Sequence, residues 1–233
     1  MSARSATTGL PRAIVFDLDG TLVDSAPDIQ LAINAAFMPL GVPEFDLAAI
    51  KGLIGGGAPA AVARAAAMAG IELGVAGQKA ALDRFYSVYA EASAKGRGLY
   101  PGAIELLENL VAAGIPLGLC TNKSHPIAEI ALEALGIDRY FESVVGARDD
   151  VPKKPDPAML RATMAPLGAA SSDVVMIGDT AADIGAARAA GVRSIAIGHG
   201  YSKVPVAELG ADAVVADLST LHRAIRTLFA NPR

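Results

Sequence analysis

The sequence predicts an α/β fold built on a mostly parallel sheet, and three observations carry that expectation. From residue 99 onward, short apolar or β-branched runs alternate with Ala- and Leu-rich stretches of helical length. The strand-like runs are nearly continuous in apolar residues, as expected of strands covered by helices on both faces. The helical stretches close on glycine, which takes a left-handed C-terminal cap without steric cost. This βαβ rhythm defines a Rossmann-like core, helices packing on both sides of the sheet.

The first strand is expected over 12–16 and the others over 115–120, 143–145, 174–177, 194–197 and 213–215. Helices are expected over 103–113, 127–135, 158–167 and 181–190, ended by Gly114, Gly136, Gly168 and Gly191. Residues 26–95 contain no strand pattern. They read as helical stretches over 27–40, 46–53, 58–69 and 76–94, broken by Gly41-Val42-Pro43, Gly55-Gly56-Gly57 and the segment 70–74. The economical division is an α/β core over 1–23 and 98–233 with an all-helical cap domain inserted over 24–97, and residues 1–11 as a frayed tail.

Composition narrows the function. With 233 residues, 52% apolar and 19% charged, the chain can bury a sizeable core. A net charge of −4 and scattered Lys and Arg supply no footprint for nucleic acid, so small solutes are the expected partners. Cys120 is the single cysteine, which rules out an internal disulfide or a thiolate cluster and suits a reducing cytoplasm. No apolar run reaches membrane-spanning length, so a cytoplasmic protein is expected, as monomer or homodimer.

In open parallel sheets ligands bind beyond the carboxyl ends of the strands, and these ends carry chemistry here. The first strand delivers Asp17 and Asp19, the second Thr121, Asn122 and Lys123, the segment after the third Lys153 and Lys154, and the fourth Asp179 with Asp183 close behind. Carboxylates gathered in one crevice repel one another unless a cation lies among them. Magnesium fits, since it takes hard oxygen ligands and the sequence offers no His/Cys set for zinc. Asp17 can then attack a phosphoryl group and form an aspartyl-phosphate. Two-residue alternation points Asp19 the same way, where it can protonate the leaving oxygen and later deprotonate water. Thr121 offers a hydroxyl and Lys154 a charge to the phosphoryl oxygens.

These residues fall in the order DLDGT (17–21), T (121), KP (154–155) and GDTAAD (178–183), and in this the sequence resembles the haloacid-dehalogenase superfamily of phosphohydrolases. The resemblance spans roughly residues 11–230. It implies that Asp17 is the nucleophile and a magnesium ligand, and that Asp19 is the acid/base, ligating the metal through its carbonyl. It further implies that Asp179 is a metal ligand and that Asp183 is the second acid, acting directly or through water. A helical insert between the first two signatures is similar to the helical cap class. The strings VFDLDGTLVDSAPDI, IGGGAP, LYPGAIELL, TNK and KKPDPAML look most like phosphoglycolate phosphatases. Related caps serve sugar-phosphate phosphatases, phosphosugar mutases and pyrophosphatases.

Several residues admit a second reading. Thr121 and Asn122 could cap a helix, and Asp183 could serve only the dipole of its own helix. Gly55, Gly56 and Gly57 could be a turn, or a nest of amides that binds a substrate carboxylate. Lys51 and Arg64 could reach the substrate or lie on the surface. A dehalogenase is disfavoured because that chemistry, in the resembling family, lacks Asp19-Gly20-Thr21 and the metal. A phosphoacceptor signalling protein would share a strand-end acid and magnesium but has no use for Asp19 or a cap.

Overall fold

The computed structural model describes residues 9–230. Its centre is a six-stranded sheet in the order β3-β2-β1-β4-β5-β6, every pairing parallel. The strands are β1 Ala13–Phe16, β2 Leu117–Ser124, β3 Ser143–Ala147, β4 Val174–Gly178, β5 Arg193–Ile197 and β6 Ala213–Val215. The chain reverses its direction of winding between β1 and β4. A crevice therefore opens at their carboxyl ends.

Two-residue alternation divides the core between the two faces of the sheet. Ile14 and Phe16 of β1, with Leu117, Leu119, Val175 and Ile177, pack on α5 (Ala103–Ala112), α6 (His125–Leu135) and α9 (Leu221–Ala230). Ala13 and Val15 point the other way, with Val174 and Met176, onto α7 (Ala158–Met164) and α8 (Ala181–Ala190). Each fully buried Leu, Ile or Phe contributes about 1.5–3 kcal/mol, so these two layers hold the sheet between its helices.

Between β1 and β2 lie α1 (Ala26–Phe37), α2 (Leu47–Leu53), α3 (Ala58–Met68) and α4 (Val75–Ser93). They enclose an apolar cluster of their own, around Ile33, Phe37, Ile50, Leu53, Val62 and Phe85. Ile127 of α6 and Tyr201 also join that cluster, so insert and sheet core share a packed seam. The chain leaves and returns through two paired segments, Asp24 N donating to Gly98 O at 2.7 Å and Tyr100 N to Leu22 O at 2.9 Å.

Departures from the expected elements have local causes. The stretch 27–40 is α-helical only to Phe37 and finishes as a 3-10 turn, Met38–Leu40, because Pro39 has no N–H to continue the ladder. Pro166 ends α7 at Met164 in the same way. Helix α9 is not marked by the glycine-terminated pattern, since no glycine closes it. Strand β2 runs on to Ser124, so Thr121, Asn122 and Lys123 lie within the strand, across a register shift against β3. The expected tail lies outside the described residues as far as residue 8, whereas Leu10 packs on the sheet core and Pro11 is buried. No helix among the described residues is long and apolar enough to cross a membrane.

Candidate active site

The crevice at the β1/β4 switch point collects the strand-end residues. Asp17 follows β1 directly, and Lys154 reaches it from the segment after β3, Nζ donating to Asp17 Oδ1 at 2.8 Å. The same ammonium donates to Asp183 Oδ1 at 2.6 Å and to the carbonyl of Cys120. A lysine has three N–H donors, and Lys154 spends all three within the site. Burial alone would lower its pKa, but Asp17 and Asp183 outweigh burial and hold the ammonium above its ordinary range.

Asp179 is fully buried, and the partners of its carboxylate are uncharged: the hydroxyl of Thr21 at 3.2 Å and the backbone N–H of Tyr201 at 2.6 Å. The space for it is set by glycine, because a Cβ on Gly20 or Gly200 would overlap Asp179 Oδ2. Burial, then the charges of Asp183 and Asp17, push Asp179 well above the usual carboxylate range. Asp17 is pushed up to about 6, burial acting first and Lys154 pulling against it.

Oxygens of Asp17, Asp179 and Asp183 lie within 4.8 Å of one another. Among the described residues Lys154 is the one cation paired with this trio, so with all three acids ionised two negative charges would stand uncompensated in a buried pocket. A divalent cation with hard oxygen preference matches that deficit and donor set. The three acids are not equivalent toward it. Asp183 Oδ2 accepts from Thr180 N at 3.0 Å and Thr180 Oγ1 at 2.6 Å, so Asp183 caps α8 with one oxygen and holds Lys154 with the other. Asp183 is thus the most heavily hydrogen-bonded of the three, accepting three bonds, against two for Asp179 and one for Asp17.

Asp19 stands apart from this trio. Its Oδ1 accepts from Lys123 Nζ at 3.1 Å, and Lys123 also donates to the hydroxyl of Tyr89 on α4, over whose ring it lies at 3.9 Å. The core acid is thereby joined to the helical insert through one buried lysine. Strand-end spacing alone gives Lys123 no role, although it closes the TNK string.

Asp17, Asp19, Thr121, Lys154 and Asp183 line one cavity of about 70 Å³, and its opposite wall is the insert, with Gly55, Gly56 and Gly57 among the lining residues. These three glycines all have positive φ, and Arg64 fixes their loop by donating to the carbonyls of Leu53 and Gly55. Arg64 is thus a loop anchor. Thr121 is buried, its Oγ1 accepting from Lys123 N at 3.2 Å. Asn122 also lines the cavity, and it braces the segment that carries Lys154. Its amide is occupied on both sides by the backbone of Lys154, donating to the carbonyl at 2.9 Å and accepting from the N–H at 3.0 Å. Lys153 is half-buried beside Gly57, at the seam with the insert and away from the acids.

A parallel sheet with acids and a lysine converging at its switch point, beside a helical insert, is the architecture of an α/β hydrolytic enzyme. The chain belongs to the haloacid dehalogenase-like hydrolase family, whose model matches residues 14–197. It is 42% identical over 216 residues to a phosphoglycolate phosphatase of Rhodospirillum rubrum, covering 91% of this chain and 90% of that one. A phosphoglycolate phosphatase of Caulobacter vibrioides is 37% identical over 218 residues, covering 94% and 92% of the two chains. Among solved structures, a protein of Haemophilus somnus described as a predicted phosphoglycolate phosphatase superposes with a TM-score of 0.83 at 32% identity, covering 94% of this chain and 99% of that one.

Proposed function

We propose that this protein is a magnesium-dependent phosphatase of small phosphorylated acids, 2-phosphoglycolate first among them, acting through an aspartyl-phosphate on Asp17. The observation that carries the reading is the buried acid trio with Asp17 facing the cavity and Lys154 at 2.8 Å. Asp17 and Asp179 would hold magnesium, with the backbone of Asp19, and Asp183 through water. When bound, the ion offsets the acid charge that otherwise repels a phosphate dianion.

A carboxylate oxygen of Asp17 attacks phosphorus while the bond to the leaving oxygen breaks, and Asp19 gives that oxygen its proton. Asp19 then takes a proton from water, the resulting hydroxide attacks phosphorus, and the bond to Asp17 breaks to release phosphate. Thr121 offers its hydroxyl and Lys154 its charge to the phosphoryl oxygens, and Lys154 also holds Asp17 through its hydrogen bond. Residues 24–97 act as the cap that closes over the substrate, with core segments 1–23 and 98–233 below it. Closure strengthens the electrostatic contacts to the phosphoryl group during its transfer to Asp17, and opening admits the water that hydrolyses the phosphoenzyme.

A small cavity, about 70 Å³, favours a compact phosphate ester over a bulky one. The names of the relatives from R. rubrum and C. vibrioides point the same way. The test is kcat/KM with magnesium across phosphoglycolate, hexose 6-phosphates, pyrophosphate and a nucleotide. Phosphoglycolate is expected to lead by at least about tenfold, roughly 1.4 kcal/mol of transition-state binding. A leading sugar phosphate would refute the substrate assignment.

The adjacent lysines give a sharper test of position. Lys154→Ala should lower kcat by roughly two to three orders of magnitude, the scale for losing one preorganised charge. Lys153→Ala should change it by less than about threefold, because Lys153 lies beside Gly57 at the seam with the insert, whereas Lys154 is the lysine bonded to Asp17 and Asp183. Steady-state assays of the two variants decide it, and the reverse ranking would place the reacting group elsewhere.

A further inference from the structure

The geometry points to Lys123 as the residue that reads the carboxylate of the substrate, an inference that rests on the phosphorylated-acid reading above. Lys154 and Lys123 are the two cations lining the cavity, and they differ in what they have left to offer. The three donors of Lys154 are committed to Asp17, Asp183 and the Cys120 carbonyl. Lys123 has two acceptors among the described residues, Asp19 Oδ1 and the Tyr89 hydroxyl. One N–H of a buried ammonium, its side chain 2% exposed, therefore has no acceptor among the described residues beyond the face of the Tyr89 ring over which it lies.

An unfilled donor on a buried charge is costly, and a ligand that supplies an anionic oxygen recovers that cost. Around Lys123 the insert's wall of the cavity is largely apolar, with Ile29, Ile54, Ala61 and Phe85. A carboxylate directed there has Lys123 as its one cationic partner. A phosphomonoester without an acid group leaves the donor unmet, which discriminates against it. Because Lys123 also bonds Asp19 and Tyr89, the same contact would place the acid end of the substrate where the insert meets the acid/base.

The experiment compares phosphoglycolate with ethyl phosphate, in which a methyl group replaces the carboxylate, on magnesium-loaded wild type, Lys123→Gln and Lys123→Met. Both variants disturb the bond to Asp19, and that disturbance affects both substrates. The expected result is that kcat/KM for phosphoglycolate falls at least about thirtyfold further than for ethyl phosphate, with the excess chiefly in KM, the scale of one charged hydrogen bond. Equal falls, with the wild-type preference for phosphoglycolate retained, would overturn the assignment and leave Lys123 as a positioning residue for Asp19. Absence of that preference in the wild type would overturn the substrate reading, and this inference with it. A second measurement needs no variant: a crystal structure of the wild-type holoenzyme with 3-phosphonopropionate. Its carboxylate should lie about 3 Å from Lys123 Nζ, and a carboxylate held by any other cation refutes the proposal.

Discussion

Asp17→Asn protein is expected to fold as the parent chain does and to lose at least about four orders of magnitude in kcat, because an amide oxygen cannot serve as the attacking nucleophile. The fold should survive because Asp17 projects from the end of β1, outside both apolar layers of the sheet. Lys154 keeps Asp183 and the Cys120 carbonyl as acceptors after the change, so its ammonium is not left unpaired. Burial already pushes the Asp17 carboxyl up to about 6, which means that its negative charge opposes folding near neutral pH in the absence of metal. The sign is that of an acid with raised folded-state pKa: its charge costs stability as pH rises through about 6, and the neutral amide removes that cost. The metal-free melting temperature at pH 7 should therefore hold or rise. Folded Asp17→Asn protein with normal turnover would sink the aspartyl-phosphate mechanism.

Asp19→Asn is expected to lower kcat for phosphoglycolate by at least about a thousandfold, within the range for losing general acid–base catalysis. One proton transfer is lost in each half of the reaction, so the slower half sets the observed fall. A substrate with a good leaving group, such as p-nitrophenyl phosphate, needs no proton from Asp19 in the first step. With it the variant should transfer phosphate to Asp17 and then stall, since water still has to be deprotonated. Intact-mass measurement after quenching should show one added phosphoryl group on the variant and little on the parent enzyme. Equal turnover with and without Asp19 would remove it from the mechanism. The substituted amide still offers Lys123 an oxygen to bond, so loss of fold is not expected to confuse the result.

The expected substrate order and the contrast between Lys154 and Lys153 depend on different parts of the molecule. The first depends on the insert, which supplies the apolar wall and the glycine loop of the cavity. The second depends on where the turn after β3 aims a single side chain. Failure of one leaves the other standing.

Much of the fold was legible in the sequence because it is encoded over short distances. Glycine stops, proline breaks and uninterrupted apolar runs are properties of four to twelve neighbouring residues, and they located all six strands to within a few positions. Helix α9 escaped because its end carries no such punctuation. The run of β2 beyond Cys120 escaped because Thr121, Asn122 and Lys123 are polar, and their extended shape comes from the pairing of Ser124 with Ala147 on β3.

For the candidate site, the sequence by itself determined which acids and lysine reach the strand ends. Strand direction and two-residue alternation are enough to place Asp17, Asp19 and Asp179 at one rim. Only the tertiary structure decided who pairs with whom. Lys154 bridges Asp17 across 137 residues, Lys123 meets Asp19 across 104 and Tyr89 across 34, and Asn122 is occupied by the backbone of Lys154. No local pattern encodes those choices. They are made when packing removes water and each buried donor takes the acceptor that the surrounding helices bring within about 3 Å.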